Sequence, residues 1–236
     1  MKSTALYRYP ASLPARLRGG VVALGNFDGV HRGHQHVLSH LISVAQGRPT
    51  VVVSFYPHPV RVLRGGDEPR ALSSLREKRD RLGELGIELL YGIHFTRTFS
   101  KVTAVEFIEE VLVRSLGAKA LVVGEDVAIG FQREGNLEFL RRELPRHNIR
   151  LHVVPTFEYN KDRPSSRRIR DLLIAGDVAG ASRLIGSPFT VSARVGHGDK
   201  RGRTIGFPTA NVASSKRLLP KRGVYSCRVM YDGRSY

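Results

Sequence analysis

The residues best suited to chemistry lie between a short apolar run and the first amphipathic stretch: Gly25-Asn26-Phe27-Asp28-Gly29-Val30-His31-Arg32-Gly33-His34. The spacing of His31 and His34 lets both side chains project together where a helix starts. A helix start presents unpaired backbone N–H groups and the positive end of aligned peptide dipoles, so it favours an anion. Gly29 and Gly33 allow backbone to approach a phosphate closely. Two histidines alone are more often structural. Together with these glycines and Asp28 at a strand-to-helix turn they read as a phosphate site. His36 and His40, spaced i,i+4, have the geometry of a metal pair but read more simply as an exposed helix face.

Further segments carry related chemistry. Pro57-His58-Pro59 follows a β-branched run and makes a rigid turn, because proline restricts both itself and its predecessor. Gly124 to Gly135, with Asp126, Gly130 and Arg133, follows another apolar run. Arg163-Pro164-Ser165-Ser166-Arg167-Arg168-Ile169-Arg170 opens a helix, where serine hydroxyls cap free N–H groups and arginines can grip phosphate. Capping alone explains the serines equally well. Gly198 to Asn211, with Lys200, Gly206 and Thr209, is a Gly-rich basic loop ending in small polar residues. It suits phosphates with Mg²⁺ held by oxygen ligands, and equally a hairpin with exposed charge.

The elements that must position these residues alternate. Gly20–Gly25, Thr50–Phe55, Ile87–Ile93, Ala118–Val123 and Leu151–Val154 read as strands. His34–Ala45, Leu75–Leu85, Ala104–Leu116 and Leu137–His147 read as helices, followed by short helices at Arg167–Ala175 and Val178–Leu184. That order predicts an α/β fold, a parallel sheet with helices on both faces, and ligands bind beyond the carboxyl ends of such strands. After Gly186 the texture changes to Gly, Pro and strand-like pieces (Phe189–Val195, Gly223–Tyr231). The expected domains are 1–186 and 187–236, the second a partial β-barrel whose last strand is Cys227–Tyr236.

Composition narrows the classes. The 236 residues carry 41% hydrophobic and 25% charged side chains, ordinary for a globular chain, and no apolar run approaches a bilayer span. Met1–Gly20 is basic like a transit peptide but lacks an apolar core. Cys227 is the only cysteine, which excludes an intrachain disulfide and fits a cytoplasmic location. The net charge of +17 invites a nucleic-acid partner or a polyphosphate substrate. The excess is dispersed, with no basic block or aromatic stacking motif, so nucleic acid is not the expected partner. Oligomeric state is not legible.

In their order and wording these motifs resemble the bacterial bifunctional riboflavin kinase/FMN adenylyltransferases. The first is similar to the HxGH signature of nucleotidyltransferases, in the form with Phe-Asp-Gly before it. The resemblance implies that His31, His34 and Arg170 are catalytic, and that Gly25, Phe27, Asp28, Gly33, Ser165, Ser166 and Arg167 bind ATP. It places the flavin on Pro57, His58, Pro59, Asp126 and Gly130. In the second domain it assigns Mg-ATP to Gly198, Lys200, Gly206, Thr209 and Asn211, with Thr209 and Asn211 on the metal. The implied substrates are ATP, FMN and riboflavin, with Mg²⁺. The chain departs from the family pattern at Val127 and Ile129, where aromatics are usual, and at Arg167, where threonine is.

One expected group is missing. The kinases of this family use a glutamate as base for the riboflavin hydroxyl, and the last glutamate here is Glu158. Beyond Asp199 the only carboxylate side chain is Asp232. Either the protein continues or its kinase activity is lost, so these residues are expected to make FAD from FMN but not FMN from riboflavin. Competing readings are a nucleotidyltransferase with another phosphorylated acceptor, and a non-catalytic flavin- or RNA-binding protein.

Overall fold

The computed structural model describes residues 4–66, 69–196, 206, 209–213 and 217–236. Its centre is a six-stranded, all-parallel sheet in the order β1-β4-β3-β2-β5-β6. The strands are β1 (Ala5–Arg8), β2 (Val21–Leu24), β3 (Thr50–Tyr56), β4 (Leu89–His94), β5 (Ala120–Gly124) and β6 (Arg150–Val154). β2 pairs with β3 on one side and β5 on the other, Val22 standing opposite both Val51 and Leu121. The chain therefore reverses its direction of winding at β2, and a cleft opens beyond the carboxyl end of such a strand. The Gly25–His34 segment leaves the sheet at that point.

Both faces are covered. One core cluster gathers Val22, Val53, Tyr91, Ile108, Leu112 and Leu121, and the opposite one Val21, Leu38, Leu41, Val52, Leu82 and Leu90. Strands buried on both faces read as continuous apolar runs, which is why β2, β3 and β5 are legible in the sequence. The helices are α1 (Arg32–Ala45), α2 (Pro59–Arg64), α3 (Leu75–Glu84), α4 (Ala104–Phe107, continued as a π-helix over Ile108–Ser115), α5 (Leu137–Glu143), α6 (Ser166–Ala175) and α7 (Val178–Ile185). The expected regular helix at 104–116 has wide turns after Phe107, with Ile108, Val111, Leu112 and Leu116 all buried. Capping boxes at Ser74/Glu77 and Thr103/Glu106 start α3 and α4. α6 and α7 close a third cluster, in which Ile169, Leu173, Leu184 and Ile185 pack with Leu72 and Leu218.

The remainder forms two small antiparallel sheets, β7 (Arg194–Gly196) with β8 (Asn211–Ala213) and β9 (Met230–Tyr231) with β10 (Arg234–Ser235). The expected strands at Phe189–Val195 and Gly223–Tyr231 are shorter than their composition suggests. Phe189 packs against the third cluster, and Val224 is fully exposed. β-Branched content makes a strand only where a neighbour supplies the ladder, and among the described residues 223–228 have none.

Candidate active site

The loop leaving β2 curls tightly. Phe27, Gly29 and Val30 have φ of 47°, 81° and 40°. Glycine takes that conformation freely, whereas a buried β-branched valine there is strained by about 1–3 kcal/mol. The curl places His31 as the N-cap of α1, its Nδ1 accepting from the His34 N–H at 3.4 Å. One turn on, the His34 ring stacks on His31 with centroids 3.6 Å apart and lies 5.0 Å from Phe27. A side chain at Gly33 would come within 3.1 Å of the Pro164 carbonyl and 3.3 Å of the His31 ring, so one of these neighbours would have to shift to admit it. The Nδ1 of His34 is buried without a partner. A buried polar atom of this kind costs about 1–3 kcal/mol unless something pairs with it.

Charge is arranged around these rings. Asp28 is buried and accepts from Leu72 N–H at 3.0 Å, Ser73 N–H at 3.0 Å and the Ser73 hydroxyl at 3.2 Å. It also forms an ion pair with Arg170, whose Nε donates to the Arg70 carbonyl at 2.8 Å. Ser165 caps α6 through Arg168 N–H, and the Ser166 hydroxyl donates to the Asp28 carbonyl at 2.9 Å. Both serines thus have structural duties, though Ser165, as an acceptor, keeps its own hydroxyl proton to give. Arg167 is exposed and makes no hydrogen bond or ion pair among the described residues.

Lys78 and Asn26 belong to the site and were not singled out from the sequence. Lys78 is buried, its Nζ donating to the Asn26 carbonyl at 2.6 Å and Ser54 Oγ at 2.8 Å. Burial pushes its pKa down to about 8, with Asp28 opposing, so it stays cationic at neutral pH. A signal existed: Leu75, Lys78, Leu82 and Leu85 share one helical stripe, and a lysine on an apolar face needs a buried partner. His58 caps α2 with its Nδ1 accepting from Val60 N–H at 3.2 Å, which puts the proton of the neutral ring on Nε2. The Asn26 amide lies 3.3 Å from that Nε2 while its Oδ1 is unpartnered. Turning the amide satisfies both groups and leaves the Asn26 NH2 as a free donor.

Burial holds the histidines neutral. It pushes His31 from 6.5 to about 4, with Asp28 opposing and Arg170 assisting. His34 lies well below the ordinary value through burial, then His31 and Lys78. His58 is lowered by burial, then Arg170. Neutral imidazoles offer one N–H donor each without a full charge to desolvate. For His31 the folded state binds fewer protons than the unfolded state between about pH 4 and 6.5, so stability is present above that window and is lost as pH falls through it. The full shift corresponds to about 3 kcal/mol. We expect the His31 Cε1–H resonance to stay unchanged from pH 8 to 5.5 and urea stability to fall below pH 6.5. A His31 titration near 6.5 would contradict the burial argument.

The remaining expected residues are less gathered. Pro57, His58 and Pro59 flank the β2 exit from β3, half-buried, with Pro59 opening α2. Asp126 is exposed and pairs with Arg163 at 3.2 Å, and Glu125 accepts from Thr156, so the exits of β5 and β6 are joined. Gly130 has φ 76°, and a side chain there would meet the Ala104 N at 2.4 Å. Ile129 is core and Val127 packs against it. His36 is half-buried and stacks on Phe157, and His40 lies 5.7 Å from His152; these contacts replace the expected exposed face. Among the described residues no group of three His, Cys, Asp or Glu gathers as for a metal. Gly206, Thr209 and Asn211 are exposed, and Gly198 and Lys200 lie outside the described residues.

Comparison with known proteins identifies the family. The FAD synthetase family profile matches residues 13–168 and the riboflavin kinase profile residues 185–236. The bifunctional riboflavin kinase/FMN adenylyltransferase of Escherichia coli K12 is 39% identical over 90% of this chain and 68% of its own length. Its namesake from Pseudomonas fluorescens is 38% identical over 93% of this chain and 71% of its own. A Streptococcus pneumoniae crystal structure described as a macrolide-efflux protein is 31% identical, with a TM-score of 0.86 over 98% of this chain and 76% of that one. No helix among the described residues here is long and apolar enough to cross a membrane. The chain belongs to the bifunctional riboflavin kinase/FMN adenylyltransferase family.

Proposed function

We propose that the chain transfers AMP from ATP to FMN, giving FAD and pyrophosphate. The observation that carries this reading is the stacked, neutral His31–His34 pair at the turn of the sheet, with His34 Nδ1 buried and unpartnered. An oxygen of the FMN phosphate attacks the α-phosphorus of ATP, and the bond from that phosphorus to the bridging oxygen breaks as pyrophosphate leaves. The acceptor phosphate is already ionised at neutral pH, so no base is required. Imidazole N–H groups and Arg170 meet oxygens whose charge grows as the bond breaks, and the positive end of the α1 dipole adds to them. The cation of Lys78 lies behind this cradle, fixed by Asn26 and Ser54. Asp28 acts through Arg170 and the 70–73 segment rather than on the nucleotide. We place the flavin on the side of Pro57, His58, Pro59, Asp126 and Gly130.

For the second module the proposal is the Mg-ATP side of riboflavin phosphorylation, with Gly198, Lys200, Gly206, Thr209 and Asn211 around the nucleotide, while these 236 residues, whose last glutamate is Glu158, are proposed not to turn riboflavin into FMN. Thr209 and Asn211 offer neutral oxygens suited to Mg²⁺, which neutralises phosphate charge when it binds with ATP. Purified protein given ATP, Mg²⁺ and FMN, with flavins followed by chromatography, should accumulate FAD. Its absence at saturating substrates would reject adenylyl transfer to FMN.

Arg167 gives a narrower prediction. If its free guanidinium grips triphosphate, Arg167→Ala raises the ATP KM and Arg167→Thr restores part of the activity. A KM indifferent to both changes would show that the side chain only faces solvent.

A further inference from the structure

The segment 70–73 is the backing of the site: Leu72 and Ser73 donate their N–H groups to Asp28, and the Arg70 carbonyl accepts from Arg170. Its other side is held by residues that composition allots to the second module. Arg217 stands beside Ala71 as a parallel bridge, and Leu218 N–H donates to the Ala71 carbonyl at 3.0 Å. The guanidinium of Arg217 is buried; Nη2 donates to the Leu72 carbonyl and also to Thr190 O at 3.2 Å, while Nη1 pairs with Glu77. Leu218 is 7% exposed and packs with Leu72 in the third cluster. Leu72 also presses on the curl itself, lying 3.1 Å from where a side chain at Gly29 would begin.

A single residue, Leu72, is thus gripped at its N–H by Asp28 and at its carbonyl by Arg217. We infer that Arg217 is a positioning residue for adenylyl transfer, supplied by the second module and acting through Leu72 on the Asp28–Arg170 pair. The inference rests on the proposed function. It goes beyond that reading by making the geometry of the ATP phosphates depend on the docking of a segment that is remote in sequence. Two opposed charges hold the segment from both sides, and loosening one lets the other shift. Displacements of about 1 Å at a phosphate-transfer site cost rate heavily.

The test uses the whole chain. R217A is expected to lower kcat/KM for ATP in FAD formation about tenfold. FMN affinity, read as quenching of flavin fluorescence without ATP, should stay within about twofold, because the flavin side does not touch this brace. R217K keeps the charge but cannot span both Leu72 and Glu77, so it should fall between wild type and R217A. If R217A fails to fold, R217K carries the test, with an expected loss of about threefold or more. Wild-type kinetics in the folded R217A, or a parallel loss of FMN affinity that signals general loosening, would overturn the inference. Absence of FAD formation by the wild type would instead reject the function on which it rests.

Discussion

Replacing His34 by alanine is expected to lower the rate of FAD formation at least tenfold while the protein still folds. The ring stands on the first turn of α1, stacked on His31, with a buried nitrogen that nothing among the described residues satisfies. A donor that meets charge only as the leaving group departs contributes about 2–4 kcal/mol to the barrier, which sets the size of the effect. The loss should fall on kcat more than on KM, since the contact strengthens as pyrophosphate separates. Alanine opens a cavity against Phe27, so His34→Gln serves as a companion that keeps a donor and most of the volume. Turnover close to normal in both variants would remove His34 from the mechanism.

The second large effect is expected at Asp28. Asp28→Asn keeps the shape but removes the charge that faces Arg170, and it sets an amide donor against either Arg170 or the Leu72 and Ser73 N–H groups. Breaking one side of a buried pair costs about 3–5 kcal/mol, which for a chain of this size lowers the melting temperature by roughly 6–20 °C. FAD formation should fall at least tenfold even below that temperature, because Arg170 is no longer aimed. Adding Arg170→Met to Asp28→Asn should recover part of the melting temperature and none of the activity. Recovery of both would place the pair in stability alone.

Much of this site was legible before folding was considered. His31, His34, Gly29 and Gly33 are adjacent in the chain, and one turn plus one helix start brings them together. Pairing along β2 and β3 follows from apolar runs that only a doubly covered sheet can bury. The edge strand Ala5–Arg8 was hidden because it is short, half-buried and runs straight into Tyr9–Pro10. The turn expected at Pro57-His58-Pro59 runs on into the short helix Pro59–Arg64, where His58 supplies a cap and proline a compatible first position.

By itself the sequence determined the order of strands β2 to β6 and of the helices other than α2, the loop that carries the histidines, and the family to which its motifs belong. These depend on local periodicity, on caps and on glycines needed within a few residues of one another. Only the tertiary structure decided that Asp28 faces Arg170, that Lys78 is buried against Asn26 and Ser54, and that Arg217 holds Leu72 from 145 residues away in the chain. Charge carries no address in the sequence. Which carboxylate or carbonyl an arginine meets is settled by packing, since burial makes an unpaired charge too costly to leave.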